Sequence, residues 1–289
     1  MCSDTPSRRT PAELRILYEI QPQLRDVVVE GRIDASVIRW YLRECGANNA
    51  KVYAIDDRVE VDSASVVGVG GEVWARGRIL ALADEAARWT LTQENLTCVI
   101  DSDRDCLASR VEFPHLLSTD FGSMDVYAFQ PRPLQQFIDI VASGFDRAED
   151  VMADLMPTLN ETFLVRTALH DVGKVPLTST FVNCCNIRKR PITLDTDELV
   201  RRSLAVVSEG RLQGEVMARV DRYRKHLPSE PLLAVRGHDI APLLIKRLGL
   251  KNDLARIESV ERSLRTCLTT TDLDKSRLFS QLRERLSMT

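Results

Sequence analysis

Val27-Val28-Val29-Glu30-Gly31-Arg32-Ile33-Asp34 is a short apolar run that ends in acids, and Cys98-Val99-Ile100-Asp101-Ser102-Asp103-Arg104-Asp105 has the same layout further along the chain. Three β-branched residues in a row favour a strand. Gly31 bounds the first run. Beyond it Val37, Ile38, Tyr41 and Leu42 recur at helical spacing, with Asp34 at the expected N-cap and Gly46 at the expected end of the helix. A buried strand that delivers carboxylates at its carboxyl end, twice in one domain, is how an α/β protein builds a site for a cation.

Working outward, residues 11–18 read as a short helix with Leu14, Leu17 and Tyr18 on one face. Residues 51–55 and 59–61 are strand candidates joined by a turn at Asp56-Asp57. Residues 74–89 form a helix, 96–100 the second key strand, and 115–119 a further short strand ending at Asp120. Strands alternating with helices imply a mainly parallel sheet flanked by helices, an α/β fold. Ligands of such sheets bind beyond the carboxyl ends of the strands. Glu30, Asp101, Asp103 and Asp120 are all expected there. From Tyr127 onward the pattern is helical, over 134–141, 148–156, 161–169, 199–207, 215–222, 240–248, 254–268 and 276–286. The expected organisation is an N-terminal segment 1–23, a catalytic α/β domain 24–130 and a mainly helical C-terminal region 131–289.

Composition narrows the class. The 289 residues are 44% hydrophobic with a formal net charge of −3. A sizeable core is therefore possible, and binding of nucleic acid by bulk positive charge is excluded, although a local basic groove is not. No apolar run reaches the length of a membrane span. The start is polar and lacks the apolar core of a targeting signal. The seven cysteines, without such a signal, read as reduced thiols of a cytoplasmic protein. Cys184-Cys185 lacks the spacing of a zinc pair. Gly68, Gly70 and Gly71 lack the Lys-Ser/Thr that a phosphate-binding loop needs, and read as a connector.

Asp101 and Asp103 straddle one residue, so both can face the same side of an extended strand end. Two like charges held close need a cation or a proton to compensate them. Oxygen donors alone select hard ions such as magnesium, manganese or calcium. Glu30, from a neighbouring strand, completes a set able to hold metal and handle a proton.

Val-Glu-Gly-x-x-Asp after one strand and Asp-x-Asp-x-Asp after another resemble the Toprim domain, the catalytic domain of topoisomerases, primases and OLD-type nucleases, over residues 24–130. The resemblance assigns catalysis to Glu30, Asp101 and Asp103, and Mg2+ or Mn2+ binding to Glu30, Asp34, Asp101, Asp103 and Asp105. Ser118-Thr119-Asp120, Met124-Asp125-Val126-Tyr127 and Val235-Arg236-Gly237-His238-Asp239 are similar to stand-alone Toprim effectors of prokaryotic anti-phage systems of the PARIS type. That group usually carries Glu where this chain has Asp125, and Gly-Lys-Asp where it has Gly237-His238-Asp239. What the resemblance implies is a toxic endonuclease directed at RNA, transfer RNA in particular. It implies restraint or activation by a partner ABC-type ATPase, and a homodimer when active. A topoisomerase would need an attacking tyrosine in a separate domain, and nothing in the helical half resembles one.

Two rival functions start from other features. His170-Asp171 resembles the central doublet of HD phosphohydrolases, with His115 as the sole upstream histidine. The alternative for the doublet is a helix end, with Gly173 in the left-handed position and Pro176 beyond it. The other rival is a non-catalytic regulatory subunit with a vestigial acidic site. Arg188-Lys189-Arg190, Arg201-Arg202 and Arg222-Tyr223-Arg224-Lys225 are candidate phosphate contacts.

Overall fold

The structure, a computed structural model, describes residues 8–47, 49–68, 74–90, 94–107 and 111–287. Gly70 and Gly71 of the expected connector lie outside them. The chain divides into two compact units. One comprises Met1–Asp101, Arg110–Asp120 and Thr270–Thr289; the other comprises Ser102–Ser109 and Phe121–Thr269.

The first unit is the α/β unit. Its elements are α1 (Pro11–Ile20), β1 (Arg25–Val29), α2 (Arg32–Glu44), β2 (Ala50–Ala54), the single turn α3 (Ile55–Arg58), α4 (Ser63–Gly68), α5 (Ala75–Ala86), β3 (Leu96–Ile100) and β4 (Leu116–Ser118). The strands form one sheet in the order β2-β1-β3-β4, and every pair is parallel. Val27 pairs with Val52 on one side and Thr97 on the other. From β1 the chain moves outward to β2, then returns past β1 to β3. The direction of winding therefore reverses between β1 and β3, and this switch point is where such sheets open a crevice.

All five residues of β3 and four of the five in β1 are buried. Strands covered on both faces read as continuous apolar runs, which is why these two were visible in the sequence. Val28, Leu96, Cys98 and Ile100 pack with Leu14 and Tyr18 of α1 and with Ile79, Leu82 and Ala83 of α5. Val27, Val29 and Val99 alternate to the opposite face. Here α2 packs against the sheet, and its Tyr41 meets Phe279 edge-on at 4.7 Å between centroids.

Phe279 belongs to the end of the chain. The sequence pattern groups 276–286 with the helical region, but α12 (Thr270–Leu273) and α13 (Arg277–Ser287) belong to the sheet unit. Besides the ring contact, the Tyr41 hydroxyl donates to Asp274 Oδ1 at 2.6 Å. Asp120, just past β4, accepts from the first-turn N–H groups of Arg277 (3.0 Å) and Leu278 (3.1 Å). A helix start leaves such donors without intrahelical partners. Asp120→Ala is expected to lower stability by about 1 kcal/mol, the usual cost of a lost N-terminal acceptor, readable as a shift in the thermal midpoint.

Three local expectations are corrected. No strand forms at 59–61. The turn Ile55–Arg58 closes directly after β2, with Val59 N–H on Ile55 O at 2.9 Å, and Val59 keeps only an isolated bridge to Arg9. That turn swings Arg58 inward to Asp26, a stronger demand than the β-propensity of two valines. Asp56 and Asp57 therefore sit in a helical turn. Asp34 is not the N-cap of α2. Gly31 takes that position, and Asp34, three residues on, accepts the Gly31 N–H on Oδ2 at 3.1 Å.

The second unit is helical: α6 (Pro131–Gln136), α7 (Ala148–Gly173), α8 (Thr196–Val206), α9 (Gln213–Arg224), α10 (Gly237–Leu248) and α11 (Ile257–Thr266), with short turns and a two-stranded hairpin Cys185–Asn186/Thr193–Leu194. The two helices expected at 148–156 and 161–169 are one helix, α7, running through Pro157. A proline interrupts the helical ladder. Beside it, the backbone of Ile192 bonds to the helix twice, through its N–H to Asp154 O (2.9 Å) and its carbonyl to the Thr158 hydroxyl (2.8 Å). α7 also continues through Gly173. Lys174, at φ 54°, takes the left-handed position expected of Gly173, with its N–H on His170 O at 2.7 Å.

No described helix is long and apolar enough to cross a membrane. Cys45, Cys98, Cys106, Cys184, Cys185 and Cys267 are free thiols.

Candidate functional site

Glu30 and Asp101 end neighbouring parallel strands, one on each side of the switch point. They are in direct contact: the backbone N–H of Asp101 donates to Glu30 Oε1 at 2.9 Å. This bond fixes where the glutamate carboxylate sits and ties the two strand ends together. Asp34 joins from the first turn of α2, bonded to the N–H of the residue after Glu30. Of the five expected acids, Glu30 and Asp101 are thus in direct contact, and Asp34 is held on the N–H of the residue that follows Glu30. All three offer hard oxygen donors, the chemistry that suits Mg2+ or Mn2+ and excludes soft-ligand metals.

Asp103 and Asp105 lie on the loop Ser102–Ser109, which belongs to the second unit. Two peptide units hold the Asp103 Cα within about 7 Å of that of Asp101. Asp103 adopts a left-handed backbone, φ 41°, a conformation Asp tolerates better than most residues. Its N–H donates to Gly122 O at 3.0 Å, and the Asp105 N–H closes a turn on Ser102 O at 2.7 Å.

One residue of this region was missed by sequence reasoning. Arg76, the second residue of α5, donates from Nη1 to the carbonyl oxygen of Asp101. There was a signal for it. Arg76 and Arg78 both stand in the first turn of a helix, where the macrodipole disfavours cations, so some other partner must hold them. Arg78 finds its partner in Asp56 Oδ1 at 2.6 Å.

The histidine doublet has a different occupation. Arg104, within the acidic run, reaches back within the second unit to the C-terminal end of α7, with Nη1 2.7 Å from His170 Nδ1 and 2.8 Å from Asp171 Oδ1. A guanidinium can only donate, so the His170 ring nitrogen facing Nη1 is its acceptor. Asp171 also accepts from the Tyr223 hydroxyl. Burial pushes the Asp171 carboxyl up, but the hydrogen bond from Tyr223, the neighbouring His170 ring and the charge of Arg104 prevail and hold it below its ordinary value. His115, in the first unit, is buried with Nδ1 on Leu96 O at 3.0 Å, and burial lowers its pKa. Both histidines of the HD reading are therefore occupied by structural partners.

A depressed carboxyl stabilises the fold above the unfolded pKa, and that contribution disappears as pH falls through the folded value. Tyr223→Phe is therefore expected to lower the thermal midpoint at neutral pH. The gap to the parent should close as the pH drops below about 4, the range of a free Asp.

Half of the cations in the basic runs have acids beside them. Arg190 pairs with Asp154 at 3.2 Å, Arg201 and Arg202 with Glu198 at 2.5 and 2.6 Å, and Arg224 with Glu161 and Asp221, both at 2.5 Å. These contacts account for Arg190, Arg201, Arg202 and Arg224 without a polyanion.

The segments around Asp125 and His238, far apart in sequence, meet in the second unit. His238 Nδ1 lies 2.9 Å from Glu261 Oε1 and 3.9 Å from Asp125 Oδ2. The hydrogen bond to Glu261 raises the pKa of His238, burial works against it, and the charge of Asp125 adds to the rise. Glu261 was not singled out by sequence; a lone acid in a charged amphipathic helix carries no signal.

Against known proteins, no family model matches the chain and no curated protein sequence matches it.

Proposed function

We propose that this chain is a metal-dependent Toprim-type nuclease that acts as the toxic effector of an anti-phage defence system. The observation that carries the reading is the hydrogen bond from Asp101 N–H to Glu30 Oε1. It brings two acid-bearing strand ends together at the switch point of a parallel sheet, the place where α/β folds bind and transform ligands.

The donor set suits the ion. Glu30, Asp34 and Asp101 would hold Mg2+ or Mn2+. The ion would supply charge stabilisation for a scissile phosphate. Glu30, anchored through one carboxylate oxygen, is the group placed to accept or return a proton during attack on phosphorus. Arg76, held on the Asp101 carbonyl, fixes the strand end from the helix side and brings positive charge near an otherwise acidic centre. The substrate class is RNA, transfer RNA first. The partner is an ABC-type ATPase that restrains or activates the effector, the active form is a homodimer, and the setting is the cytoplasm. The Toprim resemblance supports these finer statements.

Sequencing RNA 5′ and 3′ ends after expression in cells, parent against Glu30→Ala, tests the proposal. New ends concentrated in a few transfer RNAs, present only with the parent, are expected. The same ends in both samples count against this chain as the nuclease.

A further inference from the structure

We propose that Asp125, His238 and Glu261 form a second metal site that takes a transition metal of the zinc class. The residues come from three places in the helical unit. Asp125 lies in the 3₁₀ turn Met124–Ala128, His238 is the second residue of α10, and Glu261 is on α11.

Their convergence is built in. Gly237 N–H donates to Ser123 Oγ at 3.0 Å. A Cβ at Gly237 would lie 2.5 Å from both Ser123 Oγ and Asp125 Cβ, so only glycine lets the start of α10 sit this close to Asp125. His238 follows directly and is thereby delivered to the acid.

The spacing suits a small tetrahedral ion. One ligand atom from each of the three residues lies within 4.8 Å of the others. His238 Nδ1 is the shared corner, with edges of 2.9 Å to Glu261 and 3.9 Å to Asp125. Bonds of about 2.0–2.1 Å around tetrahedral zinc place neighbouring ligand atoms about 3.3–3.4 Å apart, so each of these two edges needs to move by only about half an ångström. One imidazole nitrogen among two carboxylates shifts preference from magnesium toward zinc, cobalt or manganese.

The outer contacts point the same way. Arg265 Nη1 holds Asp125 Oδ1 at 2.5 Å, which leaves Oδ2 as the oxygen turned to His238. Such bonds to the far side of a ligating carboxylate orient it and support metal affinity. The Glu261 and Asp125 side chains are 10% and 17% exposed, whereas that of His238 is 61% exposed. Three protein ligands with an open flank leave a coordination position facing solvent, and an entry path. Without metal, the proton on Nδ1 is donated to Glu261. Metal binding at Nδ1 requires that proton to leave this nitrogen.

Titration of the full chain with Co(II), followed by visible spectroscopy, tests the assignment. The protein used is Glu30→Gln/Asp101→Asn, in which the strand-end acids are disabled. One equivalent of Co(II) with the strong d–d bands of a tetrahedral N/O site, displaced by Zn(II), is expected. His238→Ala and Glu261→Gln should each weaken binding at least about 100-fold, and Arg265→Met about tenfold, the range of outer-contact losses. Circular dichroism checks that each variant is folded; His238, being exposed, leaves the fold intact when truncated. No tetrahedral bands at saturating Co(II), bands unchanged by His238→Ala, or thiolate charge-transfer absorption that identifies cysteine ligands would each overturn the site. Because the strand-end acids are absent from the test protein, loss of nuclease activity and loss of this site are read separately.

Discussion

Glu30→Gln is expected to lower metal-dependent RNA cleavage by at least about 100-fold, the loss typical of removing a group that moves a proton in the transition state. The substitution is close to a pure change of charge and basicity. The amide keeps an oxygen able to accept the Asp101 N–H, so the 2.9 Å bond between the strand ends survives and the fold should be unaffected. Asp101→Asn should lose activity to a similar degree, through the metal rather than the proton. The two differ in one readout. Raising Mg2+ or Mn2+ should partly rescue Asp101→Asn, because weakened metal affinity is restored by mass action. It should not rescue Glu30→Gln if the carboxylate acts on the proton. Wild-type rates in Glu30→Gln would remove the strand-end acids from the mechanism.

The second large effect concerns stability. Asp26, on β1, is buried with Arg58: the Arg58 Nη2 and Nε lie 2.9 and 3.2 Å from Asp26 Oδ2, and their side chains are 6% and 1% exposed. The Tyr18 hydroxyl donates to the same oxygen at 3.0 Å. Burial, and then the Asp26 charge, hold the Tyr18 pKa well above its ordinary value, so the hydroxyl remains a donor. Asp26→Ala strands the guanidinium in the core and is expected to cost about 3–5 kcal/mol, measured by urea or thermal unfolding. Replacing both partners by apolar residues, Asp26→Leu with Arg58→Met, removes the uncompensated charge and should recover most of that loss. A double variant as unstable as the single one would mean that packing, not charge, dominates there.

What could be read from sequence follows from what each element must satisfy. β1 and β3 were legible because strands covered on both faces are apolar throughout, and the acids at their ends stood out against that background. Whether Glu30 and Asp101 touch was also legible in outline, since parallel neighbours end on the same side of a sheet. Val59 misled because its β-propensity is local, whereas the turn before it is set by the need of Arg58 to reach Asp26. Asp34 was displaced by two effects too small to rank from residues alone: glycine tolerates the cap geometry, and an acid three residues later can satisfy the glycine N–H. The two apolar patterns at 148–156 and 161–169 are one helix because Ile192, distant in sequence, bonds to the backbone beside Pro157. The division of the chain after Asp101 was invisible, because no change in composition marks it. Glu261 and Arg265 were hidden for the same reason as most residues of a charged helix: their partners are fixed only by tertiary packing.

The tail of the chain closes the sheet unit. Tyr41 keeps its ring and hydroxyl partners only once Phe279 and Asp274 arrive, and Asp120 caps a helix that begins at Arg277. During synthesis, therefore, the strands that carry Glu30 and Asp101 emerge from the ribosome long before the segment that covers one of their faces. The sheet that carries these two acids therefore gains its full cover only after Arg277–Ser287 has been translated.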